Sequence, residues 1–412
     1  MSKIPAGRLT TFWFYGAAAI CVLLIAATML RVLSTQSGPT AWLLNRVTLA
    51  GENNAGAWWS GMLLALLSLH AFDGYVLLRR SAPGAARGWI MLAAVLLFLS
   101  FDEVGSIHER LGTLSRALSL GTWSLLLPLG AVLGAVCLRA MVLLGRAEGE
   151  RHKLWPIAIG FALFGSVALQ EFLEHRIDWQ TDVARAIRVA VEEGTELLGM
   201  LILLRIALAN TAELAQRSIA SGRTAFAALD ELRRPLVAIG LAVAPALAFG
   251  TAALPDQASR GHPADWLAAA AFLAAGLVPC RPFPLDGRGV ASWAKWLASG
   301  LCCLASVAVV AISPLKLVEL GPVEVSLRMV IVVAISILVG AAWACAPDGK
   351  GRPYAIGVVV VGALAAALLP LTNVVLVYGL SQLLGLVVYW VSSTVVQEGE
   401  ARPASAIHVS QA

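Results

Sequence analysis

The sequence has little charge for its length. Asp, Glu, Lys and Arg together make up 13% of its 412 residues, whereas they account for about 25% of a typical soluble domain. Hydrophobic residues reach 59%, above the roughly 45–50% of soluble proteins. This balance excludes a cytosolic enzyme, a nucleic-acid-binding protein and a disordered chain. It is typical of a polytopic membrane protein.

Cysteine pairs and common catalytic motifs are also lacking. All six cysteines lie within or at the ends of apolar segments and none forms Cys-x-x-Cys, so we expect neither a disulfide framework nor a cysteine-based zinc site. The P-loop, G-x-S-x-G and H-E-x-x-H patterns are absent. The net charge of +5 comes from basic residues spread over short loops, so no nucleic-acid partner is expected.

Apolar segments long enough to cross a membrane are abundant. A helix needs about 20 apolar residues to span the hydrocarbon core, and the sequence contains twelve such segments. It therefore predicts an all-α, polytopic integral membrane helix bundle. The predicted spans are 12–33, 58–78, 89–108, 122–144, 155–175, 185–208, 235–254, 266–283, 293–313, 326–347, 354–370 and 371–393.

The basic residues predict the orientation of these spans. Loops on one side carry more than twice as many Lys and Arg as loops on the other. The positive-inside rule therefore places both termini in the cytoplasm, an N-in/C-in topology. We predict a multi-pass protein of the bacterial inner membrane. Its expected partner is membrane lipid, and a homo-oligomer is left open.

The two halves of the chain differ in composition. Residues 1–208 are predicted to form a six-span membrane half that carries most acids and histidines. Residues 209–234 read as a cytoplasmic amphipathic linker, 235–393 as a six-span apolar half, and 394–412 as a disordered cytoplasmic tail. Because the second half has almost no ionisable residue within its spans, it is predicted to be a scaffold, an oligomer surface or a lipid-facing surface.

Acids and histidines concentrate near one predicted membrane face, at the ends of three spans. Residues four apart on a helix share a face, so Glu192 and Glu196 are expected to point the same way. A regular helix cannot aim all candidates of the third span at one point, although Gly105 or Gly112 would allow a break. The candidates are Asp102, Glu103, His108 and Glu109 on the third span, Glu171, Glu174, His175 and Asp178 on the fifth, and Glu192, Glu193 and Glu196 on the sixth.

The charge balance of this layer favours a functional site. It contains about twice as many acids as bases, among them Arg110, Arg176, Arg185 and Arg188. Ion pairs absorb about half of the carboxylates. The others must be protonated, hydrated or bound to cations, because an unpaired acid inside a membrane is costly. A structural ion-pair network remains the alternative.

Carboxylates and histidines together are a ligand set for divalent metals such as Zn, Fe or Mn. The first hypothesis is an enzyme that uses a metal-activated water on a lipid or lipid-linked substrate, with Asp102 or Glu193 as catalytic base. The alternative is a proton- or cation-coupled secondary transporter that uses the same acids without a fixed metal. The predicted metal ligands are Glu103, His108, Glu109, Glu171, Glu174, His175, Glu192 and Glu196. The sequence does not choose the metal or the substrate.

Two further features of the first half lie outside this layer. His70 and Asp73 are predicted to lie on the order of 10 Å deeper than Asp102, either as a polar packing pair, which is favoured, or as a second station on a pathway. Glu148 and Glu150 fall in a predicted cytoplasmic loop. Substitution of either is expected to be silent.

Three segments resemble an uncharacterised family of bacterial multi-pass membrane proteins. SFDEVGSIHERLG resembles the family pattern S-x-D-E…H-E at the end of one span, and VEEGTELLGM resembles E-E-x-x-E in a later one. The segment ENNAGAWWSGMLLALLSL is similar to the family's second span. The resemblance covers about residues 45–208. The residues that carry the motif match are Ser100, Asp102, Glu103, His108, Glu109, Glu192, Glu193 and Glu196. The resemblance implies no established activity and therefore supports the choice of residues only.

The predicted topology can be tested with reporter fusions. Fusions after residues 52, 150, 260 and 350 should report outside, inside, outside and inside, because the basic residues favour the cytoplasmic side. Reporters active only in the cytoplasm or only outside it measure this directly. A cytoplasmic signal after residue 260 would contradict the arrangement of the second half.

Overall fold

The structure is a computed structural model. It describes residues 6–33, 39–49, 54–121, 123–174, 181–220, 227–252, 262–277, 292–312, 317–320, 323–344, 352–368 and 374–400.

The described part of the chain is almost entirely α-helical. Its helices are α1 (Ala6–Leu33), α2 (Pro39–Val47), α3 (Ala55–Leu78), α4 (Pro83–Gly105), α5 (Ile107–Ala117), α6 (Trp123–Gly145), α7 (Leu154–Glu174), α8 (Asp182–Ala220), α9 (Ala227–Ala252), α10 (Pro263–Leu277), α11 (Ser292–Ala311), α12 (Leu327–Ala344), α13 (Arg352–Ala367) and α14 (Val374–Glu400). A 3-10 helix, Glu148–Lys153, precedes α7. The all-α prediction is confirmed at this level.

A short β-hairpin is the departure from all-helical structure within the described ranges. Strands β1 (Leu317–Leu320) and β2 (Val323–Ser326) pair antiparallel, with Leu317 opposite Ser326 and Leu320 opposite Val323. Valines alternating with polar residues favour strands. The hairpin lies between two predicted spans and overlaps the second of them, 326–347, only at Ser326.

A helix lies at each of the twelve segments predicted as membrane spans. By length and composition, five helices in the described ranges are able to cross a membrane: Phe14–Leu33, Ala55–Leu78, Pro83–Gly105, Trp123–Gly145 and Val374–Ser393. Other apolar helices, such as Leu327–Trp343, are shorter. These helices are compatible with membrane association. The count of twelve spans and the N-in/C-in orientation stay predictions.

The chain forms two compact units. Unit 1 is Met1–Glu231 with Ser259–Pro263, and unit 2 is Leu232–Ala258 with Ala264–Ala412. The predicted domain boundaries stay predictions.

Two helices continue into the segments predicted as the linker and the disordered tail. Helix α8 runs on to Ala220, so the start of the predicted linker is helical, as expected for a stretch rich in Ala, Leu, Glu and Gln. Helix α14 runs to Glu400. Residues 401–412 of the predicted tail lie outside the described residues.

In unit 1, α3 packs against both α4 and α8. The approach to α4 is close, because a Cβ at Gly61 would lie 2.6 Å from Val104 Cγ2. Buried serines tie the two helices together: Ser100 Oγ donates to the Gly61 carbonyl at 2.6 Å, and Ser68 Oγ to the Ala93 carbonyl at 2.7 Å. Small residues at such contacts are typical of membrane helix packing. The end of α4 that carries Asp102 and Glu103 is therefore fixed against α3.

Unit 2 contains a buried ion pair. Arg328 Nη1 and Nη2 donate to Asp265 Oδ1 and Oδ2 at 2.5 and 3.2 Å, and both side chains are 1% exposed. Arg328 Nε also donates to the Ile312 carbonyl, and the guanidinium lies 5.7 Å from the Tyr378 ring centroid. The sequence singled out neither Asp265 nor Arg328, because the two residues are 63 positions apart. The predicted apolar half thus has one strongly polar point in its core.

Breaking this buried pair should destabilise the protein. We expect Arg328→Met to cost about 3–5 kcal/mol, because it leaves the Asp265 carboxylate buried and uncompensated. The double variant Asp265→Leu, Arg328→Met should lose less than the single one. Thermal unfolding of the full chain in detergent measures the difference.

The matched control is the exposed pair of Arg185 and Asp182, whose side chains are 56% and 65% exposed. Asp182→Asn should cost at most about 1 kcal/mol. An Arg328→Met protein as stable as this control would show that the buried pair contributes little.

Candidate functional site

A backbone turn separates α4 from α5 at Ser106. This fully buried serine has φ 50° and ψ 43°, in the left-handed region. Its N–H donates to the Asp102 carbonyl at 2.7 Å, and its carbonyl accepts from the Arg110 N–H at 3.1 Å. The chain therefore changes direction with its backbone hydrogen bonds satisfied. The expected break is present, one residue after Gly105 and not at Gly112.

This turn brings Asp102 and His108 together. Asp102 Oδ1 accepts the His108 backbone N–H at 2.7 Å, and Oδ2 lies 3.0 Å from His108 Nδ1. In a regular helix, the side chains of residues six apart point about 120° away from one another, so the contact depends on the break. The side chains are 17% and 42% exposed, respectively. Asp102 thereby orients the imidazole with Nδ1 towards the carboxylate and Nε2 away from it.

Four glutamates of α4 and α8 form a second group, which we call the glutamate cluster (Glu103, Glu192, Glu193 and Glu196). The Glu193 carboxylate interacts electrostatically with the other three and with the guanidinium of Arg188. Arg188 Nη1 also lies 3.8 Å from Glu192 Oε2. Glu193 thus interacts with three other carboxylates and one guanidinium, and like charges near one another disfavour full ionisation.

Other predicted site residues belong neither to the contact of Asp102 with His108 nor to the glutamate cluster. Glu109, on α5, is exposed. Helix α7 ends at Glu174, and the side chains of Glu171 and Glu174 lie outside the described residues, as do the whole of His175 and Asp178. The predicted roles of these four residues therefore stay predictions.

Only some of the predicted metal ligands have side chains that the structure describes. Among them, no three His, Cys, Asp or Glu side chains come together in a way that could hold a metal ion. Three of the eight predicted ligands, Glu171, Glu174 and His175, lie outside this set. The metal site stays a prediction that depends on the end of α7.

Basic residues near the site form ion pairs with some of its acids. Arg185 Nη2 lies 2.6 Å from Asp182 Oδ1 at the exposed start of α8, and Arg188 pairs with Glu192. Arg110 Nε donates to the Gly105 carbonyl at 3.2 Å, where α4 ends. Arg176 lies outside the described residues. The ion-pair alternative is therefore supported for Asp182 and Glu192.

Sequence reasoning missed a buried ionisable group elsewhere in unit 1. Lys153 Nζ donates to Glu150 Oε2 at 2.9 Å and to Asn210 Oδ1 at 2.6 Å, and it lies 3.3 Å from Glu213 Oε2 in an ion pair. Glu150 Oε2 also accepts Trp89 Nε1–H at 3.1 Å. The side chains of Lys153 and Glu150 are only 5% and 4% exposed. We call Lys153, Glu150, Glu213 and Asn210 the lysine cluster.

Glu150, expected to be a silent position in a loop, lies in a 3-10 helix and is buried; the silence of its substitution stays a prediction. Its carboxylate is buried by α4 and α8, whereas Glu148, two positions earlier, is exposed. The available signal was the spacing of Glu150 and Lys153, which places them one helical turn apart just before an apolar run. Glu148 remains a suitable control position.

Comparison with known proteins gives a family-model match over part of the chain and no activity. A family model described as a domain of unknown function (DUF8692) matches residues 14–211. The match includes Asp102, His108 and the whole glutamate cluster, and it is consistent with an uncharacterised family. No curated protein and no solved structure matches the chain. The family's motifs and a bacterial origin stay predictions.

The left-handed backbone at Ser106 can be tested by substitution. Ser106→Gly should keep or raise the thermal stability, because glycine adopts positive φ without steric cost. Ser106→Val should lower it by more than about 1–2 kcal/mol, since a β-branched residue is strained there and has no room in a buried site. Thermal unfolding in detergent is the measurement.

Ser119 provides the matched control. It also has positive φ, 59°, but is exposed, so Ser119→Val carries the backbone strain without the loss of packing. Its effect should be smaller than that of Ser106→Val. Equal stability of the Gly and Val variants at position 106 would refute the importance of this turn.

Proposed function

We propose that the glutamate cluster is a membrane-embedded proton- or cation-binding site and that the protein is a cation-coupled secondary transporter. The observation that carries the proposal is the interaction of Glu193 with three other carboxylates and one guanidinium. Carboxylates grouped in this way bind positive charge because binding relieves their mutual repulsion.

The membrane setting strengthens this argument. A single acid near the centre of a spanning helix costs about 2.5–3.5 kcal/mol on insertion scales. Several acids together cost more unless positive charge compensates them, and Arg188 is a base that interacts with Glu193. A bound proton or small cation would lower this cost further, and intramembrane acids commonly mark ion and proton pathways.

The distribution of the cluster over two helices suggests how binding is coupled to movement. Glu103 lies near the end of α4, whereas the other three acids lie on α8, and α3 packs against both helices. A bound cation favours a short separation between the two sets of carboxylates, and its release favours a longer one. Such a difference in affinity between two arrangements is what a coupled transporter requires.

A divalent-metal-dependent enzyme is the second candidate function. The hydrogen bond between Asp102 Oδ2 and His108 Nδ1 favours it, because metal-binding histidines usually donate their other ring N–H to a carboxylate. The site would need further ligands from Glu171, Glu174 and His175. A metal such as Zn, Fe or Mn would supply an activated water for a lipid or lipid-linked substrate, with Asp102 or Glu193 as base.

Infrared spectroscopy of carboxyl groups tests the first proposal. The full-length protein in lipid vesicles should show a protonated carboxyl at neutral pH, because the cluster cannot hold all its negative charges. Glu193→Gln should remove this signal. Asp182→Asn, on the same helix but in an exposed ion pair, should retain it. Identical spectra for the wild type and a folded Glu193→Gln variant would refute the proposal.

Metal analysis of the same preparation separates the two candidates. Near-stoichiometric Zn, Fe or Mn that is lost in Glu196→Ala and His175→Ala would favour the enzyme. Metal-free protein with a Glu193-dependent carboxyl signal would favour the transporter. A purely structural ion-pair network instead predicts that these variants lower the folded yield and leave both properties of the folded molecules unchanged.

A further inference from the structure

Helix α5 carries its aliphatic side chains in one line, which we call the aliphatic stripe (Ile107, Leu111, Leu114 and Leu118). At 100° per residue, these four positions fall within about 60° of one another around the helix axis. Leu118 directly follows the last residue of α5 and extends the same line. Leu114 and Leu118 are 48% and 58% exposed. Such a stripe on a short helix is stable only against an apolar surface.

The opposite face of α5 is polar. Glu109 and Arg116 are exposed, and Arg116 Nη2 donates to Thr113 Oγ1 at 3.4 Å. By the same helical geometry, these three residues are centred about 160° from the aliphatic stripe. An aliphatic stripe opposite a charged face is typical of helices that lie in the plane of a membrane surface.

A third side of α5, between these two faces, packs against the protein. Gly112 and Ser115 are buried on this side, and α5 contacts α6. Ser115 Oγ donates to the Gly121 carbonyl at 2.5 Å, and the Ser115 carbonyl accepts the Leu120 N–H at 2.9 Å. These contacts fix the rotation of α5 about its axis, so the aliphatic stripe and the polar face keep their directions.

The helices on either side of α5 indicate which apolar surface is available. Both α4 and α6 are long and apolar enough to cross a membrane. Each has 23 residues, which span about 34 Å at 1.5 Å per residue and therefore match the ~30 Å hydrocarbon core. A segment that connects two consecutive spans lies at one membrane face. The left-handed turn at Ser106 ends α4 before α5 begins, so α5 does not continue the span.

We propose that α5 is an interfacial helix that docks on membrane lipid. The aliphatic stripe lies on the acyl chains of the predicted outer leaflet, and the face with Glu109 and Arg116 points to water. The proposal goes beyond the transport function and does not depend on it, because it involves no member of the glutamate cluster.

This docking also defines the depth of the contact between Asp102 and His108. Around α5, His108 lies about 90° from the centre of the aliphatic stripe. An interfacial helix buries its apolar face at the boundary of head groups and acyl chains, so a residue at 90° lies at the level of the head groups. Ala117 lies at the same angle on the other side of the stripe and is exposed. It therefore reports this depth without disturbing the hydrogen bond between His108 and Asp102.

Nitroxide labels on single introduced cysteines test the docking in the full-length protein. The vesicles contain phosphatidylcholine and phosphatidylglycerol, with a water-soluble nickel chelate on both sides of the bilayer. Oxygen concentrates in lipid, whereas the chelate stays in water. Labels at Leu114→Cys and Leu118→Cys should give an oxygen-to-nickel collision ratio several-fold higher than labels at Glu109→Cys and Arg116→Cys. The ratio at Ala117→Cys should lie between the two pairs.

Three controls calibrate these ratios. Leu138→Cys is an exposed position within α6 and provides the reference for lipid, and the exposed Glu148→Cys provides the reference for water. The wild-type protein, labelled in the same way, gives the background of the native cysteines. All the introduced cysteines of α5 replace exposed residues, so the variants are expected to fold.

The outcomes separate lipid from the other surfaces that could cover the stripe. Ratios at 114 and 118 near that of Leu138→Cys, with the low ratios at 109 and 116, support docking on lipid. Ratios at 114 and 118 equal to that of Glu148→Cys would overturn the proposal, because the stripe would then lie in water. Low collision rates with both reagents, together with dipolar broadening between labels, would also overturn it and would show that a second copy of the chain covers the stripe.

Discussion

A charge inside a low-dielectric helix bundle needs a compensating charge, a proton or water, and this requirement shapes every polar point in the molecule. Unit 2 meets this requirement with a bidentate ion pair between Arg328 and Asp265. The lysine cluster meets it with one buried ammonium beside two carboxylates. In the glutamate cluster, Arg188 is a base that interacts with Glu193.

Local backbone geometry decides which polar side chains at the end of α4 come into contact. The left-handed residue Ser106 redirects the chain so that His108 returns to Asp102. Close packing at Gly61 and the hydrogen bond from Ser100 hold the same end of α4 against α3. Glu103 therefore projects from a fixed support, whereas its partners belong to α8. The site therefore combines the anchored end of α4 with glutamate side chains of a separate helix, α8.

Much of the fold was predictable from apolar runs, whereas the contacts between distant residues were not. Helices at the predicted spans follow from hydrophobicity and length, and the grouping of Glu192 with Glu196 follows from helical periodicity. The contact of Asp102 with His108 needed a break whose position the two nearby glycines did not reveal. The burial of Glu150 was not predicted, because its hydrogen-bond donor Trp89 is 61 positions away. Pairwise spacing along one helix carries no information about such partners.

The length of α8 has a mechanical consequence. Its 39 residues extend for about 58 Å at 1.5 Å per residue, which exceeds the ~40–45 Å thickness of a whole bilayer. A helix of this length that crosses the membrane must tilt strongly or project beyond it. Because the glutamates lie in the first half of α8 and Glu213 lies near its end, one continuous helix joins the two regions.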